Sequence, residues 1–210
     1  MKYLFGFVFL LCFSCGNKED ILLPKADRTI VKEVKDLSPI YIFFRVNGKD
    51  TLAEVNRKNS IITTNWIFNI DKRLPLRLVI PEVMKLQQKK REEKEHRNEL
   101  ALNYFSYADS IGKNLAFLSF TEVYYKMEKP NFGSLSFYFG NDKVRIGNVI
   151  LSKKELQGYL NNVSTESGIQ ILLCFDKNSS FDSYIQNKIF IKSLDLKQKN
   201  ISFDEKEFIF

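Results

Sequence analysis

The stretch 172–177 reads LLCFDK, and residues 67–72 read IFNIDK. Both are apolar runs closed by an Asp-Lys pair, and both lead into a segment whose apolar residues recur at helical spacing. An apolar run bounded by turn-forming residues predicts a buried strand. We therefore expect a strand, a turn at the Asp-Lys pair and a helix, in this order, twice in this chain. We call each Asp-Lys turn a corner.

A second internal sequence similarity accompanies the first, because residues 118–122 read LSFTE and residues 201–205 read ISFDE. We call each such similarity an echo. Together the two echoes suggest a duplicated unit. Matches of this length also arise by chance among β-strands, so chance similarity stays open beside duplication.

Upstream of the first corner, residues 40–46 and 51–55 are rich in β-branched and aromatic side chains. Asn47-Gly48 between them is a strong hairpin signal. Downstream, apolar residues recur at helical spacing at Leu76, Val79, Ile80 and Val83. A second helical stripe and a strand over 115–125 complete a first unit, residues 39–127. The stripe consists of Leu100, Tyr104, Tyr107, Ala108 and Ile111.

Between these two stripes, residues 87–99 carry no apolar side chain. A helix without an apolar face gains nothing from burial, so we expect a long, solvent-exposed charged helix. It would serve either as a spacer or as a docking surface for an envelope protein or an anionic cell-wall polymer. The candidate partner-binding residues are Lys89, Lys90, Arg91 and Lys94.

The second unit covers residues 132–210. Extended segments at 134–139, 143–146 and 149–151 precede Ser152, which forms a capping-box pattern with Glu155 and opens a short helix. The LLCFDK strand, another helix and a terminal strand follow. The predicted order is β-β-α-β-α-β, and the predicted fold class is α+β with two β-β-α-β-type units.

Residues 149–156 read VILSKKEL, and residues 173–181 read LCFDKNSSF. These segments resemble the strand, the first helix start, the Asp-Lys corner and the aromatic helix entry of the periplasmic domain of the ExbD/TolR family of biopolymer transport proteins. The resemblance implies a fold and a binding role for the second unit. It marks Asp176-Lys177, and by the echo Asp71-Lys72, as a family corner motif. The family's membrane helix with its proton-carrying Asp has no counterpart, so the motor function is not implied.

The N-terminal stretch carries a positive charge at Lys2, continues as a Phe- and Leu-rich run to Phe13, and places Ser14 before Cys15. This order resembles a bacterial lipoprotein signal, since the run is too short to span a bilayer. Residues 1–14 would then be removed, Cys15 would be acylated, and residues 15–38 would form a tether. The alternatives are a short buried helix and an ordinary secretory signal. The lipoprotein interpretation predicts an anchor in the bacterial outer membrane.

Directly after the anchor, Lys18, Glu19 and Asp20 resemble the export signal that sends some Gram-negative lipoproteins to the outer face of the outer membrane. Acids and lysines are common in any linker. Both a surface-exposed and a periplasm-facing anchor therefore stay open.

Little in the sequence points to catalysis. Asp71 and Asp176 are candidate paired carboxylates, but strand-end aspartates are more typical of turn caps. Cys174, the only cysteine outside the signal and the anchor, lies in an apolar run typical of a small buried residue. His96, the single histidine, lies in the charged arm. Phosphate-binding, dinucleotide-binding and metal-ligand patterns are not found. We expect no enzymatic activity, no cofactor and no metal.

The net charge of +7 would permit nucleic-acid binding, but an envelope address disfavours it. We expect a lipid-anchored cell-envelope binding or accessory protein, linked by the resemblance to ExbD/TolR-type biopolymer transport. The alternative is a surface-exposed lipoprotein that captures a glycan or peptide through exposed aromatics such as Trp66. The pattern does not predict an oligomeric state.

Overall fold

A computed structural model describes residues 20–93, 95, 98–131, 135–163, 168–196 and 200–210. These residues form three helices and two mixed six-stranded sheets, as the predicted α+β class requires. Cys15, Lys18, Glu19, Lys94 and His96 lie outside them. The elements are β1 (Lys25–Ala26), β2 (Leu37–Asn47), β3 (Asp50–Asn56), β4 (Asn65–Ile70), α1 (Leu76–Glu92), β5 (Asn103–Asp109), β6 (Asn114–Ser119), β7 (Tyr124–Lys126), β8 (Ser136–Phe139), β9 (Lys143–Ile146), β10 (Val149–Ser152), α2 (Lys153–Asn162), β11 (Ile169–Phe175), α3 (Phe181–Ser193) and β12 (Ile201–Ile209).

The two sheets repeat the same core topology. The first contains the order β3-β2-β4-β5 and the second the order β9-β8-β11-β12. In each, a hairpin supplies the antiparallel pair and the other two pairings are parallel. Helix α1 joins β4 to β5, and α3 joins β11 to β12. The two Asp-Lys corners therefore occupy equivalent places, directly after β4 and β11.

The corners also bind each other. Their main chains exchange hydrogen bonds in matched pairs, so that every bond has a counterpart with the two units interchanged. The corners are thus related by an approximate two-fold axis. The bonds run from Leu76 N to Ser179 O (2.9 Å), Phe181 N to Leu74 O (2.8 Å), Arg77 N to Lys177 O (2.8 Å) and Asp182 N to Lys72 O (3.1 Å).

A single hydrophobic core takes residues from both sheets and all three helices. Near its centre, Phe105 of the first sheet contacts Phe181 and Tyr184 of α3, with ring centroids 5.2 and 6.2 Å apart. Burial of this kind stabilises by about 25 cal/mol per Å² of apolar surface, which couples the two units energetically. Within the described ranges, no helix is long and apolar enough to cross a membrane.

The order of elements differs from the prediction. In the second unit three strands rather than the predicted two precede the first helix, because the segments 143–146 and 149–151, one strand in the predicted order, form β9 and β10. In the first unit β2, β3 and β4 precede α1, where the segments 40–46, 51–55 and 67–72 predict three strands, one more than the β-β-α-β label counts. Strand β7 lies within residues 39–127 but pairs with β12 of the second sheet. The second echo is not part of the repeat, because residues 118–119 end β6, whereas residues 201–205 begin β12, whose topological equivalent is β5.

The predicted helix on the second stripe is wrong, because β5 occupies that segment. Phe105 and Tyr107 point into the core, as strand alternation requires. Leu100 and Ile111 gave the stripe its helical spacing, but they are 85% and 73% exposed. Apolar residues three or four positions apart fit a helix, but the two inward aromatic residues follow the two-residue period of a strand.

The long exposed charged helix is also not observed as predicted. Helix α1 ends at Glu92, and Gln87 is buried. Its side-chain Nε2 donates to Phe120 O at 3.2 Å and to Val123 O at 3.3 Å. The absence of apolar residues did not force exposure, because buried main-chain carbonyls need donors that an apolar side chain cannot supply.

Candidate functional site

The corner aspartates each hold their own turn. Asp71 is buried, and one of its carboxylate oxygens, Oδ1, accepts from Arg73 N and Nε at 3.0 and 2.9 Å. Asp176 is exposed, and its Oδ1 accepts from Asn178 N at 2.8 Å. Burial raises the pKa of Asp71, but hydrogen bonds from Arg73 and Leu22 outweigh it and leave the pKa below its usual value. The geometry is that of two turn caps.

The predicted partner-binding lysines and arginine have different surroundings. Lys89 is exposed. The Arg91 guanidinium is exposed, donates to Thr121 O at 2.8 Å, and lies 4.2 Å from the centre of the Tyr124 ring. Lys94 lies outside the described residues. Only Lys89 and Arg91 therefore present charge to solvent in the described part of this set.

Lys90 instead points into the protein. Its ammonium donates to Thr64 O, Leu102 O and Asn103 Oδ1 at 2.9, 3.3 and 3.2 Å. It lies 4.9 Å from the centre of the Trp66 ring. Burial lowers the pKa of Lys90 from its usual 10.5 to about 8. Lys90 therefore uses its three donors on oxygens at the starts of β4 and β5, and these are not available to a partner.

Trp66, proposed as an exposed ligand-binding aromatic, is 1% exposed. Its Nε1 donates to Ile61 O at 2.7 Å. It is a core residue, so glycan or peptide capture through Trp66 is excluded. Cys174 is also buried, as predicted.

A cationic cleft of about 450 Å³ lies between β1, α2 and α3. Strand β1 pairs in parallel with the end of β5, and Lys25 N donates to Asp182 Oδ1 of α3 at 3.0 Å. The capping box of Ser152 and Glu155 starts α2 and sets Lys153 at its first position. Residues that line the cleft include Lys25, Ala26, Arg28, Lys153, Ile189 and Phe190.

The cleft has an excess of positive charge. Arg28 is neutralised by Asp27, which it meets through two hydrogen bonds of 3.2 Å. These hydrogen bonds raise the pKa of Arg28 and lower the pKa of Asp27. The Lys25 and Lys153 ammonium groups have no carboxylate within ion-pair distance among the described residues.

Lys153 is the most unusual residue of the cleft. It is half-buried, and its ammonium lies 5.9 Å from the centre of the Phe190 ring. Burial lowers the pKa of Lys153, and the charge of Asp142 opposes this only in part. A partly desolvated cation with no carboxylate within ion-pair distance raises the free energy of the folded protein. An anion bound there would remove that penalty.

Sequence reasoning placed Lys153 in a capping motif and missed its place in the cleft. One signal could have found it: a lysine at the first turn of a helix opposes the helix dipole, which favours acidic residues there. The other cleft residues come from β1 and α3, which are distant in sequence. Spacing alone could not have brought them together.

An aromatic groove of about 400 Å³ lies against the second sheet, with residues of β8, β9, β10 and β11 in its lining. The Arg145 guanidinium lies 4.0 Å from the centre of the Tyr138 ring, and Tyr138 meets Phe210 edge to face at 5.8 Å. The groove offers aromatic surface beside a cation, a combination that suits a glycan or peptide better than Trp66 does.

No protein-family model, curated protein or solved structure matches the chain. The described residues also hold no group of three His, Cys, Asp or Glu side chains placed to bind a metal ion.

Proposed function

We propose that this chain is a lipid-anchored binding protein of the bacterial cell envelope, and that the cationic cleft binds an anionic ligand with an apolar part. The half-buried, unpaired ammonium of Lys153 carries this proposal. Ile189 and Phe190 supply the apolar wall beside it. The proposed role is binding, without catalysis or a cofactor.

The path of the N-terminal segment supports a link between anchor and cleft. Leu22 O accepts from Lys72 N at the first corner, and Pro24 O accepts from Ala108 N, both at 2.8 Å. Strand β1, which lines the cleft, follows directly. Leu22 is seven positions after Cys15, a stretch that spans at most about 25 Å, so an acylated Cys15 would hold the cleft close to the membrane.

The cleft is tested with hexyl phosphate as the probe, measured by isothermal titration calorimetry. A hydrogen bond to a charged group contributes about 1.5–3 kcal/mol, so Lys153→Met should weaken binding by about tenfold or more. Lys154→Met is the matched control, because Lys154 is the neighbouring, exposed lysine. Hexanol, which lacks the anion, should not bind. Equal effects of the two substitutions, or no binding of hexyl phosphate to the unaltered protein, would contradict the proposal.

The anchor is tested by metabolic labelling with a palmitate analogue, which should mark the unaltered protein and not Cys15→Ala. Equal labelling of the two proteins would refute the anchor. Replacing Lys18, Glu19 and Asp20 with Ala should abolish protease access on intact cells if these residues direct surface exposure. An unaltered protein that is already inaccessible would instead favour the periplasmic face.

Two narrower functions draw on single observations. The strand, corner and helix around Asp176 and Lys177 support the ExbD/TolR-like interpretation, which predicts that crosslinking in envelopes recovers an ExbB-like channel protein. The aromatic groove supports glycan or peptide capture. Tyr138→Ala should then abolish retention on a glycan or peptide column while leaving hexyl phosphate binding unchanged.

A further inference from the structure

The second unit contains a buried ion pair between Lys188 of α3 and Glu207 of β12, which are 7% and 1% exposed. Glu207 Oε1 accepts from Lys188 Nζ, and Oε2 accepts from the Tyr184 hydroxyl at 2.7 Å. The Tyr184 hydroxyl also lies 3.0 Å from that of Tyr125. Burial, followed by the charge of Glu207, raises the pKa of both tyrosines, so they remain neutral hydrogen-bonding groups.

The repeated topology supplies an internal comparison for this pair. Aligning the corners places Val79 at the position of Tyr184 and Val83 at that of Lys188. The same alignment makes Phe68 equivalent to Leu173. Phe105 is the strand partner of Phe68 and Glu207 is the strand partner of Leu173, so Phe105 occupies the position of Glu207. The first unit fills all three positions with fully buried apolar side chains.

The fold therefore does not need a charge pair at this place. Burying two ions costs desolvation energy, and apolar replacements of a buried pair are often neutral or stabilising. The same chain achieves the apolar version in its first unit. A role other than stability explains better why the second unit carries the pair.

A cavity of about 450 Å³ adjoins the pair, and both Lys188 and Glu207 line it. Leu173, Ile191 and Phe203 give it an apolar wall. Its charged lining residues outside the pair are Glu122, Asp204, Glu205 and Lys192, so carboxylates predominate. An ammonium group has three donors, and among the described residues Lys188 donates a hydrogen bond only to Glu207.

We infer that this cavity is a second binding site, separate from the cationic cleft, for a short apolar peptide bound through its N-terminal residue. The ligand's ammonium group would meet the carboxylates of Asp204 and Glu205. Its carbonyl oxygen would accept from Lys188, and its apolar side chain would cover the wall. This combination of ammonium, acceptor and apolar body matches the groups that converge on the cavity.

The test uses the dipeptide amide Leu-Phe-NH₂ and its N-acetylated form, which differ in the ammonium group. Calorimetric titration should show binding of the first and at least tenfold weaker binding of the second. Equal binding of both peptides, or binding of neither, would overturn the inference.

The double variant Lys188→Met with Glu207→Leu replaces the pair by apolar residues of similar size. It should unfold at the same or a higher urea concentration than the unaltered protein and lose peptide affinity at least tenfold. Unchanged peptide affinity would overturn the inference, and so would a stability loss that marks the pair as required by the fold. The variant Asp204→Asn with Glu205→Gln changes residues outside the core and should weaken peptide binding severalfold even if the first variant fails to fold. Hexyl phosphate binding reports on the cationic cleft alone, so failure of either site is distinguishable.

Discussion

Replacing Lys90 with methionine tests the burial of a charge at the end of the first sheet. The pKa of Lys90 falls from 10.5 in the unfolded chain to about 8 in the folded protein. Below pH 8 both states hold the proton and the folded state carries the full penalty. Between pH 8 and 10.5 only the unfolded state holds it, so stability rises with pH. The lowering of the pKa from 10.5 to about 8 corresponds to at most about 3 kcal/mol of unfolding free energy. Solvent screening reduces this value, because the Lys90 side chain is only partly buried.

The assay is urea unfolding between pH 7 and 10.5, followed by the fluorescence of Trp66, the only tryptophan in the chain. The free energy of unfolding of the unaltered protein should rise relative to that of Lys90→Met by up to about 3 kcal/mol across this range. Lys89→Met removes the neighbouring exposed lysine and should follow the unaltered protein at every pH. Parallel curves for the unaltered protein and Lys90→Met would refute the argument that Lys90 is charged, buried and destabilised.

Three further predictions concern two other buried groups, Asp71 and Cys174. Asp71→Asn should lower the free energy of unfolding by about 1–3 kcal/mol, because it weakens charged hydrogen bonds to Arg73. Asp176→Asn, in the equivalent exposed turn, should change the free energy of unfolding by less than about 0.5 kcal/mol. Urea unfolding at pH 7 measures both variants, and equal losses would show that the two corners are energetically alike. The lowered pKa of Asp71 also predicts that its contribution is present above pH 3.8 and is lost as the pH falls below that value, a loss that Asp71→Asn should not show. Burial raises the pKa of Cys174 to about 11, so a maleimide should leave Cys174 unlabelled in the native protein at pH 8 and label it in concentrated urea; rapid native labelling, read by mass spectrometry, would show that the thiol is accessible.

Local patterns predicted the strands before each corner, both corner helices and the hairpin turn at Gly48, whose φ of 61° suits glycine. The capping box at Ser152 also formed as predicted. Each of these features depends on residues close in sequence, whose preferences point the same way. The helical stripe before Ile111 failed because two periods fitted the same few apolar residues.

The candidate site could not be predicted in the same way. Lys153 acquires its surroundings from β1 and α3, and the sequence does not show that these segments meet. Lys90 and Gln87 look like solvated residues until the strand ends that they reach are known. Polar side chains on a helix can thus donate hydrogen bonds to buried carbonyls, and only the tertiary structure distinguishes these side chains from solvent-exposed ones.

The matched hydrogen bonds at the two corners have a consequence for the origin of the chain. An interface in which each partner gives the other the same bonds is isologous, the kind found in symmetric homodimers. A single-unit ancestor could therefore have assembled as such a dimer, with gene fusion later joining its two copies. Fusion would release each half from the need to match the other, because one mutation would no longer appear twice. The valines of one helix and the lysine and tyrosine of the other would then record divergence from a common, self-associating precursor.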